Sequence, residues 1–208
     1  VFIQNKSLEL SLFLSLPASV ALLIASDEIT SALFGYGSFD EIGINNSARA
    51  LFYFALGLPA FSLIKVFTSF LFARHNTKIP FYISLFSVIL NASLSIYFFS
   101  KIGFIIIPIA TTISSWFNAL ILFLFLRYKN YFQFNLIFLS TVPKIILSTT
   151  LMGYIFYLLI NFFSDKLSYS YEFKLIYLIL IVIFTFFVYL ASSVLTKAFK
   201  LSDIKLKY

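Results

Sequence analysis

Runs of about twenty apolar residues alternate with short polar connections along the whole chain. A helix of this length matches the hydrocarbon thickness of a bilayer, so each run is a candidate transmembrane helix. The pattern therefore predicts an all-α integral membrane protein with six transmembrane helices, at about residues 10–25, 49–73, 80–99, 104–126, 143–163 and 174–195.

Acidic and glycine residues set residues 27–46 apart as an extramembrane loop between the first two spans. Within this loop Ser38 precedes Glu41 by three residues, which is the spacing of a capping box, so we expect the second helix to begin there. Pro143 is expected to open the fifth span, because proline is tolerated where a helix amide has no partner.

A lysine stands inside the second span. Ser62, Lys65 and Ser69 follow one another at helical spacing, so the cation lies in a narrow polar stripe. A charged residue at the centre of a membrane helix costs about 2.5 to 3.5 kcal/mol on insertion scales, so it needs a partner, a watery cavity or a route to the interface. We expect that Lys65 faces a cavity; the alternative is that its long stem snorkels towards Arg74.

Two asparagines stand inside the third and fourth spans, each among hydroxyl residues at helical spacing. In lipid, a stripe of small polar residues serves either close helix packing or a hydrated cavity. Two asparagines and a lysine favour the cavity more than serines alone would. The transport-cavity candidates are therefore Lys65, Ser62, Ser69, Asn91 and Asn118.

Three residues are hinge candidates: Pro17 in the first span, and Gly57 and Pro59 in the second. Proline removes a helix hydrogen bond, and sharp bends in helices are usually found at such residues. A serine stripe on the first span ends at Ser19 and predicts close packing against a neighbouring helix.

Composition excludes whole classes of protein. The chain is 61% hydrophobic and only 11% charged, whereas a soluble domain carries about 25% charged residues, so there is no room for a soluble enzyme. It has no cysteine and one histidine, which excludes thiolate and histidine-cluster metal sites. We expect no catalytic residue, cofactor, metal or nucleic-acid partner, and the basic C-terminal tail is expected to attract anionic lipid headgroups.

Charge also predicts the orientation. The side that holds both ends of the chain, with Arg74 and Lys78 in its first loop, has ten cations and two acids, whereas the other side has four cations and six acids. By the positive-inside rule the first side is cytoplasmic.

Four stretches carry a resemblance to a known family: LFGYGSFD (33–40), GLPAFSLIKV with ARHNTKIP (57–66 and 73–80), Asn91, and ATTISSWFNALIL (110–122). They resemble the MurJ/MviN lipid II flippases of the multidrug/oligosaccharidyl-lipid/polysaccharide exporter superfamily. The second stretch is the most specific, because its glycine, prolines, lysine and arginine keep the family's spacing. The match covers roughly residues 10–130, and the last two spans fit by position and hydrophobicity only.

The resemblance implies spans nine to fourteen of a fourteen-helix, MATE-like, two-lobe transporter. Residues 1–130 would form a four-helix part of the C-terminal lobe, and 131–208 the final two transmembrane helices with a basic cytoplasmic tail. That pair is apolar nearly all round, so we expect it to lie apart from the first four spans, pack loosely and present an apolar groove to the lipid tail.

The implied function is flipping of lipid II, an undecaprenyl-linked peptidoglycan precursor, across the bacterial cytoplasmic (inner) membrane by alternating access. The expected partners are this lipid, membrane lipids and the family's N-terminal spans, which this sequence does not contain. Alternatives are a polysaccharide or O-antigen flippase, a MATE-like antiporter and a purely structural subunit, in which replacing Lys65 would change stability alone. A proton-pumping respiratory subunit is disfavoured, because it needs several ionisable midplane residues and only Lys65 qualifies.

Overall fold

The computed structural model describes residues 2–36 and 40–198, and nearly all of these residues are helical. A short 3-10 turn at Gly103–Ile105 joins the fourth and fifth of the helices. The helices are α1 (Phe2–Ile24), α2 (Ser26–Phe34), α3 (Glu41–Phe72), α4 (Lys78–Ile102), α5 (Ile106–Tyr128), α6 (Leu136–Phe162), α7 (Ser164–Leu167) and α8 (Lys174–Leu195).

Five stretches among the described residues are long and apolar enough to cross a membrane: α1, α3, α6, α8, and the 51-residue stretch Lys78–Tyr128. The last stretch contains α4 and α5, which fold back on each other at Gly103, whose φ of 73° suits glycine. Side-chain contacts from Asn91 to Thr111 and from Asn118 to Ser84 show that the two helices run antiparallel. The count of six spans stays a prediction.

The long helices form a row of neighbours in the order α4, α5, α3, α1, α6, α8, with α2 bridging α3 and α8. Helix α1 joins two apolar cores. Leu8 packs with Phe67, Leu122 and others between α1, α3, α5 and the start of α6. Phe13 packs with Phe156 and others between α1, α2, α6, α7 and α8. The row thus has two halves, one on each side of α1, and the packing of these buried side chains is the main contact between them.

Two predictions about the segment between the first two spans are wrong. The stretch 27–46 is not a loop throughout, because it contains most of α2 and the start of α3. Helix α3 begins at Glu41, and its cap is Asp40, whose carboxylate accepts a hydrogen bond from Gly43 N at 2.8 Å. Aspartate caps helices as well as serine does; Ser38 itself lies outside the described residues. These helix starts are polar because they extend beyond the apolar segment.

The fifth span begins earlier than Pro143 indicates. Asn135 caps α6 by accepting from Phe138 N at 2.6 Å, and the proline is an interior residue. The first helix also begins before its predicted start, at Phe2, whereas α8 has the predicted bounds. The predicted basic tail lies beyond residue 198 and outside the described residues, apart from Lys197.

The expectation that the last two spans pack loosely and lie apart is wrong. Ser148, Phe156 and Ser193 are fully buried, and Tyr189 is 2% exposed. Helix α6 packs against α1, and the hydroxyl of Tyr189 on α8 reaches the backbone of α1. Small hydroxyl residues and one glycine make this close packing possible.

Candidate functional site

Polar residues of α4 and α5 line an open pocket of about 370 Å³. The antiparallel hairpin brings both predicted asparagines into this pocket, which we call the hairpin pocket. Its polar lining residues are Ser84, Ser87, Asn91, Thr111, Ser114, Ser115 and Asn118.

The amide groups of the two asparagines are satisfied to different degrees. Asn91 Nδ2 donates to Thr111 Oγ1 at 3.0 Å, and Asn91 Oδ1 accepts from Ser95 Oγ at 3.3 Å. Asn118 is 6% exposed, and its Nδ2 donates to Ser84 Oγ at 3.5 Å. Its Oδ1 has no hydrogen-bond partner among the described residues. A buried acceptor without a partner costs free energy, so Asn118 is suited to a donor that enters the pocket.

The polar stripe of α3 lies elsewhere. Lys65 and Ser69 are exposed and Ser62 is half-buried, and none of them lines the hairpin pocket. The Lys65 ammonium makes no hydrogen bond or ion pair with the described residues, whereas its backbone carbonyl accepts from Ser69 Oγ at 2.9 Å. The structure therefore brings Asn91 and Asn118 together and leaves the Lys65 stripe on an uncovered face of α3.

The hinge candidates lie inside helices that continue through them. Pro17 is an interior residue of α1, and Gly57 and Pro59 are interior residues of α3. A Cβ atom on Gly57 would lie 3.0 Å from Thr112 Oγ1, so the glycine permits α5 to approach closely at this point.

The two cations predicted for the first cytoplasmic loop occupy different places. Arg74 follows the end of α3, and its guanidinium donates to Phe70 O at 3.1 Å and Tyr131 O at 3.0 Å. It also lies 4.7 Å from the centroid of the Tyr131 ring. Lys78 is the first residue of α4 and not a loop residue. Arg74 therefore fastens the end of α3 to the connector before α6.

A second cavity, of about 370 Å³, is almost entirely apolar and lies between α1, α6 and α8. We call it the apolar groove. Its lining includes Phe13, Pro17, Met152, Phe156, Val182 and Tyr189. The hairpin pocket and the apolar groove lie on either side of the α3–α1 pair in the row of helices.

Comparison with known proteins identifies the family. The family model described as "Lipid II flippase MurJ" matches residues 3–180, which is most of the chain. The chain belongs to the MurJ lipid II flippase family.

The relatives of this family that the chain matches are about two and a half times as long. A probable lipid II flippase MurJ of Rhizobium meliloti (strain 1021) is 34% identical over 166 residues, which are 80% of this chain and 31% of the relative. The probable lipid II flippase MurJ of Thermotoga maritima is 34% identical over 194 residues, 93% of this chain and 37% of the relative. The chain thus spans about a third of the length of these relatives.

A solved structure supports the same family. Lipid II flippase MurJ in an inward closed conformation matches 94% of this chain and 39% of its own chain, with a TM-score of 0.75 and 26% sequence identity. The predictions of the family, and of an all-α multi-pass membrane fold belonging to a transporter family, are confirmed.

One site within the matched region was missed by the sequence analysis. Lys174, at the start of α8, is 1% exposed. Its ammonium donates to Gly35 O and Tyr169 O, both at 2.8 Å, and lies 4.6 Å and 4.7 Å from the ring centroids of Tyr36 and Tyr169. A Cβ atom on Gly35 would lie 3.0 Å from the ammonium nitrogen. We call this arrangement the Lys174 cage; it fastens α8 to the segment that follows α2.

Acidic residues line a cleft of about 290 Å³ at the same end of the molecule. Asp27 and Glu28 lie in the first turn of α2, and Glu41 lies in the first turn of α3, as expected for acids near helix starts. Partial burial raises the pKa of the Glu28 carboxyl, and the charge of Asp27 adds to this effect. The cleft therefore disfavours ionisation of Glu28.

Proposed function

We propose that this chain forms part of a flippase that moves lipid II, an undecaprenyl-linked peptidoglycan precursor, across the bacterial cytoplasmic membrane by alternating access. Such a lipid has a polar headgroup and a long apolar tail, and a protein that carries it needs both kinds of surface. The observation that carries the proposal is that one small membrane domain of this family holds both a polar pocket and an apolar groove.

In this proposal the apolar groove holds the isoprenoid tail. Its lining offers almost no hydrogen-bonding surface, and aromatic and aliphatic side chains from α1, α6 and α8 meet there. An apolar chain leaves the bilayer for such a groove at little cost, because both environments are apolar.

The hairpin pocket and the polar stripe of α3 belong to the route of the headgroup. Asn118 Oδ1 would accept a hydrogen bond from the passing headgroup or its water. Lys65 would attract its diphosphate, since the ammonium makes no ion pair with the described residues. Gly57, Pro59 and Pro17 would be the points at which the helices bend as the cavity opens to either side.

We place both ends of the chain in the cytoplasm, because the cations of the sequence concentrate on that side. Residues 1–130 would be a four-helix part of a lobe, and 131–208 the final helix pair with its basic tail. The N-terminal spans of the family would supply the facing lobe.

The tail assignment is tested by photocrosslinking on the chain reconstituted in lipid nanodiscs. The probe is a polyprenyl diphosphate with a photoreactive group in its tail, and adducts are mapped by mass spectrometry. We expect adducts at Pro17, Val182 and Leu190, which line the groove and have accessible surface, and the loss of these adducts in Phe186→Trp, which narrows the groove. Adducts spread evenly over exposed residues such as Ile179 and Leu151, and unaffected by Phe186→Trp, would contradict the proposal.

Transport is tested in a chimera, in which this chain replaces the matching segment of the Thermotoga maritima relative. In vesicles, translocation of fluorescent lipid II should fall when Lys65 is replaced by Met and be retained in Lys65→Arg. A matched control is Lys129→Met, since Lys129 is exposed just after the end of α5. Unchanged translocation in Lys65→Met would remove Lys65 from the route.

A further inference from the structure

Three hydroxyl groups among the described residues donate to backbone carbonyls of neighbouring helices, and two of them, those of Tyr189 and Ser19, do so at closely related positions. Tyr189 Oη, on α8, donates to Phe13 O on α1 at 2.7 Å. Ser19 Oγ, on α1, donates to Ala55 O on α3 at 2.6 Å. In each case the accepting carbonyl lies four residues before a proline, Pro17 or Pro59.

A carbonyl four residues before a proline lacks its usual hydrogen-bond donor. In an α-helix the carbonyl of residue i−4 accepts a hydrogen bond from the amide of residue i, and proline has no amide hydrogen. The carbonyls of Phe13 and Ala55 therefore lose the donor that any other residue at position 17 or 59 would supply. The bilayer interior contains no water to replace that donor, so another group of the protein has to do so.

We propose that the hydroxyls of Tyr189 and Ser19 replace the amide hydrogens that Pro17 and Pro59 lack. They are thus positioning residues that join neighbouring helices at the two prolines. We call each of these two hydrogen bonds a hydroxyl clasp. The inference concerns helix packing and holds whether or not the chain takes part in lipid transport.

The surroundings of each hydroxyl fit this role. Tyr189 is 2% exposed, and its ring packs against that of Phe13 with centroids 5.0 Å apart, so the phenol is held on its target. Ser19 has a short side chain and requires close approach of α1 and α3. Ala55 and Ala60 are buried small residues on α3 near this contact, and they allow that approach.

The third proline inside a helix supplies a comparison. Pro143 lies in α6, and the carbonyl four residues before it belongs to Leu139, the fourth residue of that helix. Leu139 is exposed, and no side chain among the described residues donates to its carbonyl. This carbonyl lies close to the end of the helix, where water or lipid headgroups can reach it. Hydroxyl clasps thus accompany the two prolines that lie deeper in their helices.

The clasp at Pro17 lies in the wall of the apolar groove, because Phe13, Pro17 and Tyr189 all line it. It joins α8 to α1 across the groove. The clasp at Pro59 joins α1 to α3, so the two hydroxyls connect three helices in series at their prolines. Movement of α8 would be transmitted to α1 through this connection.

The test is a double-mutant cycle on the reconstituted chain, measured as the melting temperature followed by circular dichroism. Tyr189→Phe should lower the melting temperature by about 2 to 4 °C, the shift expected for one hydrogen bond in a protein of this size. Pro17→Ala restores the amide donor, so Tyr189→Phe should cause little or no further loss in that background. Ser19→Ala and Pro59→Ala form the second cycle, with the same expectation.

Crossed pairs provide the control. Tyr189→Phe in the Pro59→Ala background, and Ser19→Ala in the Pro17→Ala background, should cause the full loss, because these pairs share no carbonyl. Tyr177→Phe, on the same helix as Tyr189, should cause none, since its hydroxyl makes no hydrogen bond with the described residues. Equal losses in the cognate and crossed backgrounds would overturn the inference. If one proline variant fails to fold, the cycle at the other proline decides.

Discussion

The α4–α5 hairpin and the α6–α8 pair are both antiparallel helix pairs with polar side chains in apolar segments, but they hold these side chains differently. In the α6–α8 pair, Ser193 donates to Tyr189 O of its own helix at 2.7 Å, and the Ser148 and Thr196 hydroxyls lie 3.1 Å apart. Ser148 and Ser193 are fully buried. In the hairpin, the polar side chains open onto a pocket, and Asn118 keeps an acceptor without a partner.

The difference teaches which polar residues indicate a functional cavity. A serine or threonine hydroxyl can donate to the carbonyl of its own helix, so it fits a dry helix interface. An asparagine carries two donors and a carbonyl oxygen, and one helix backbone does not satisfy all of them. Amide side chains are therefore the better indicator of a cavity, and hydroxyl side chains are compatible with either use.

The largest expected effect detaches the start of α8 from the segment that follows α2, at the Lys174 cage. Lys174→Leu leaves Gly35 O and Tyr169 O without their donor. Gly35 O is buried, and a buried carbonyl without a partner costs about 1 to 3 kcal/mol, whereas Tyr169 O is only partly buried and costs about 1 kcal/mol. The free energy of unfolding should therefore fall by about 2 to 4 kcal/mol. The measurement is urea or SDS unfolding of the reconstituted chain, followed by tryptophan fluorescence.

The control for this prediction is Lys166→Leu. Lys166 is exposed and lies 4.8 Å from the ring centroid of Tyr171, so it makes a similar contact without burial. Its replacement should change the free energy of unfolding by less than about 0.5 kcal/mol. Similar losses in both variants would show that a buried Lys174 contributes no more to the free energy of unfolding than an exposed lysine beside an aromatic ring.

The next prediction concerns the hairpin and separates transport from stability. Asn118→Leu removes a buried acceptor that has no partner, so the chain should keep its stability or gain some. In the chimera, loss of a hydrogen bond to the headgroup should slow lipid II translocation by about 5- to 150-fold. Both quantities are measured on the same preparation.

Asn161→Leu is the matched control, because this asparagine is exposed on α6 and donates to Tyr157 O of its own helix. It should change neither quantity much. A variant Asn118→Leu that unfolds more easily and transports normally would assign the hairpin pocket to packing, as in the α6–α8 pair.

The sequence predicted the spans well where apolar residues continue to the end of a helix. Helix α8 has the predicted bounds because Lys174 and the polar residues after Leu195 mark its ends. The sequence predicted α2 and α3 poorly, because a helix that extends beyond the apolar segment contains acidic and amide residues that are also typical of loops. Hydropathy indicates which residues lie in the membrane, but it does not indicate where the backbone hydrogen bonds of a helix begin and end.

The candidate site was predictable only in part. Helical spacing was enough to place Asn91 and Asn118 on facing helices, because the α4–α5 connection is short. The Lys174 cage was not predictable, because Gly35 and Lys174 are 139 residues apart in sequence. Local patterns carry no information on a contact of that range, and a lysine at the start of a span is typical of the membrane interface.

A smaller effect is expected when a glycine at a close contact between helices is replaced by alanine, and this substitution can be compared in the two regions. A Cβ atom on Gly153 would lie 2.7 Å from Val20 Cγ1, so Gly153→Ala forces α6 and α1 apart. We expect a loss of about 1 to 2 kcal/mol after the gain in helix propensity is counted. Gly57→Ala should cost less, because its nearest neighbours, Thr112 Oγ1 at 3.0 Å and the Phe61 ring at 3.1 Å, lie farther away and need to move less. The reverse order in chemical unfolding would contradict this view of the α1–α6 contact.

The smallest effect depends on pH and concerns Glu28 in the acidic cleft beside the Lys174 cage. Partial burial raises the pKa of this carboxyl above 4.5, its ordinary value. The folded chain therefore binds the proton more tightly than the unfolded chain does. The stabilisation is fully present below pH 4.5 and is lost as the pH rises through the raised pKa of the folded state.

The melting temperature should fall slightly across that interval. Glu28→Gln should remove this part of the dependence of the melting temperature on pH. If Glu28→Gln melts with the same pH dependence as the unaltered chain, the acidic cleft does not desolvate Glu28, and the coupling between this end of α2 and stability is absent.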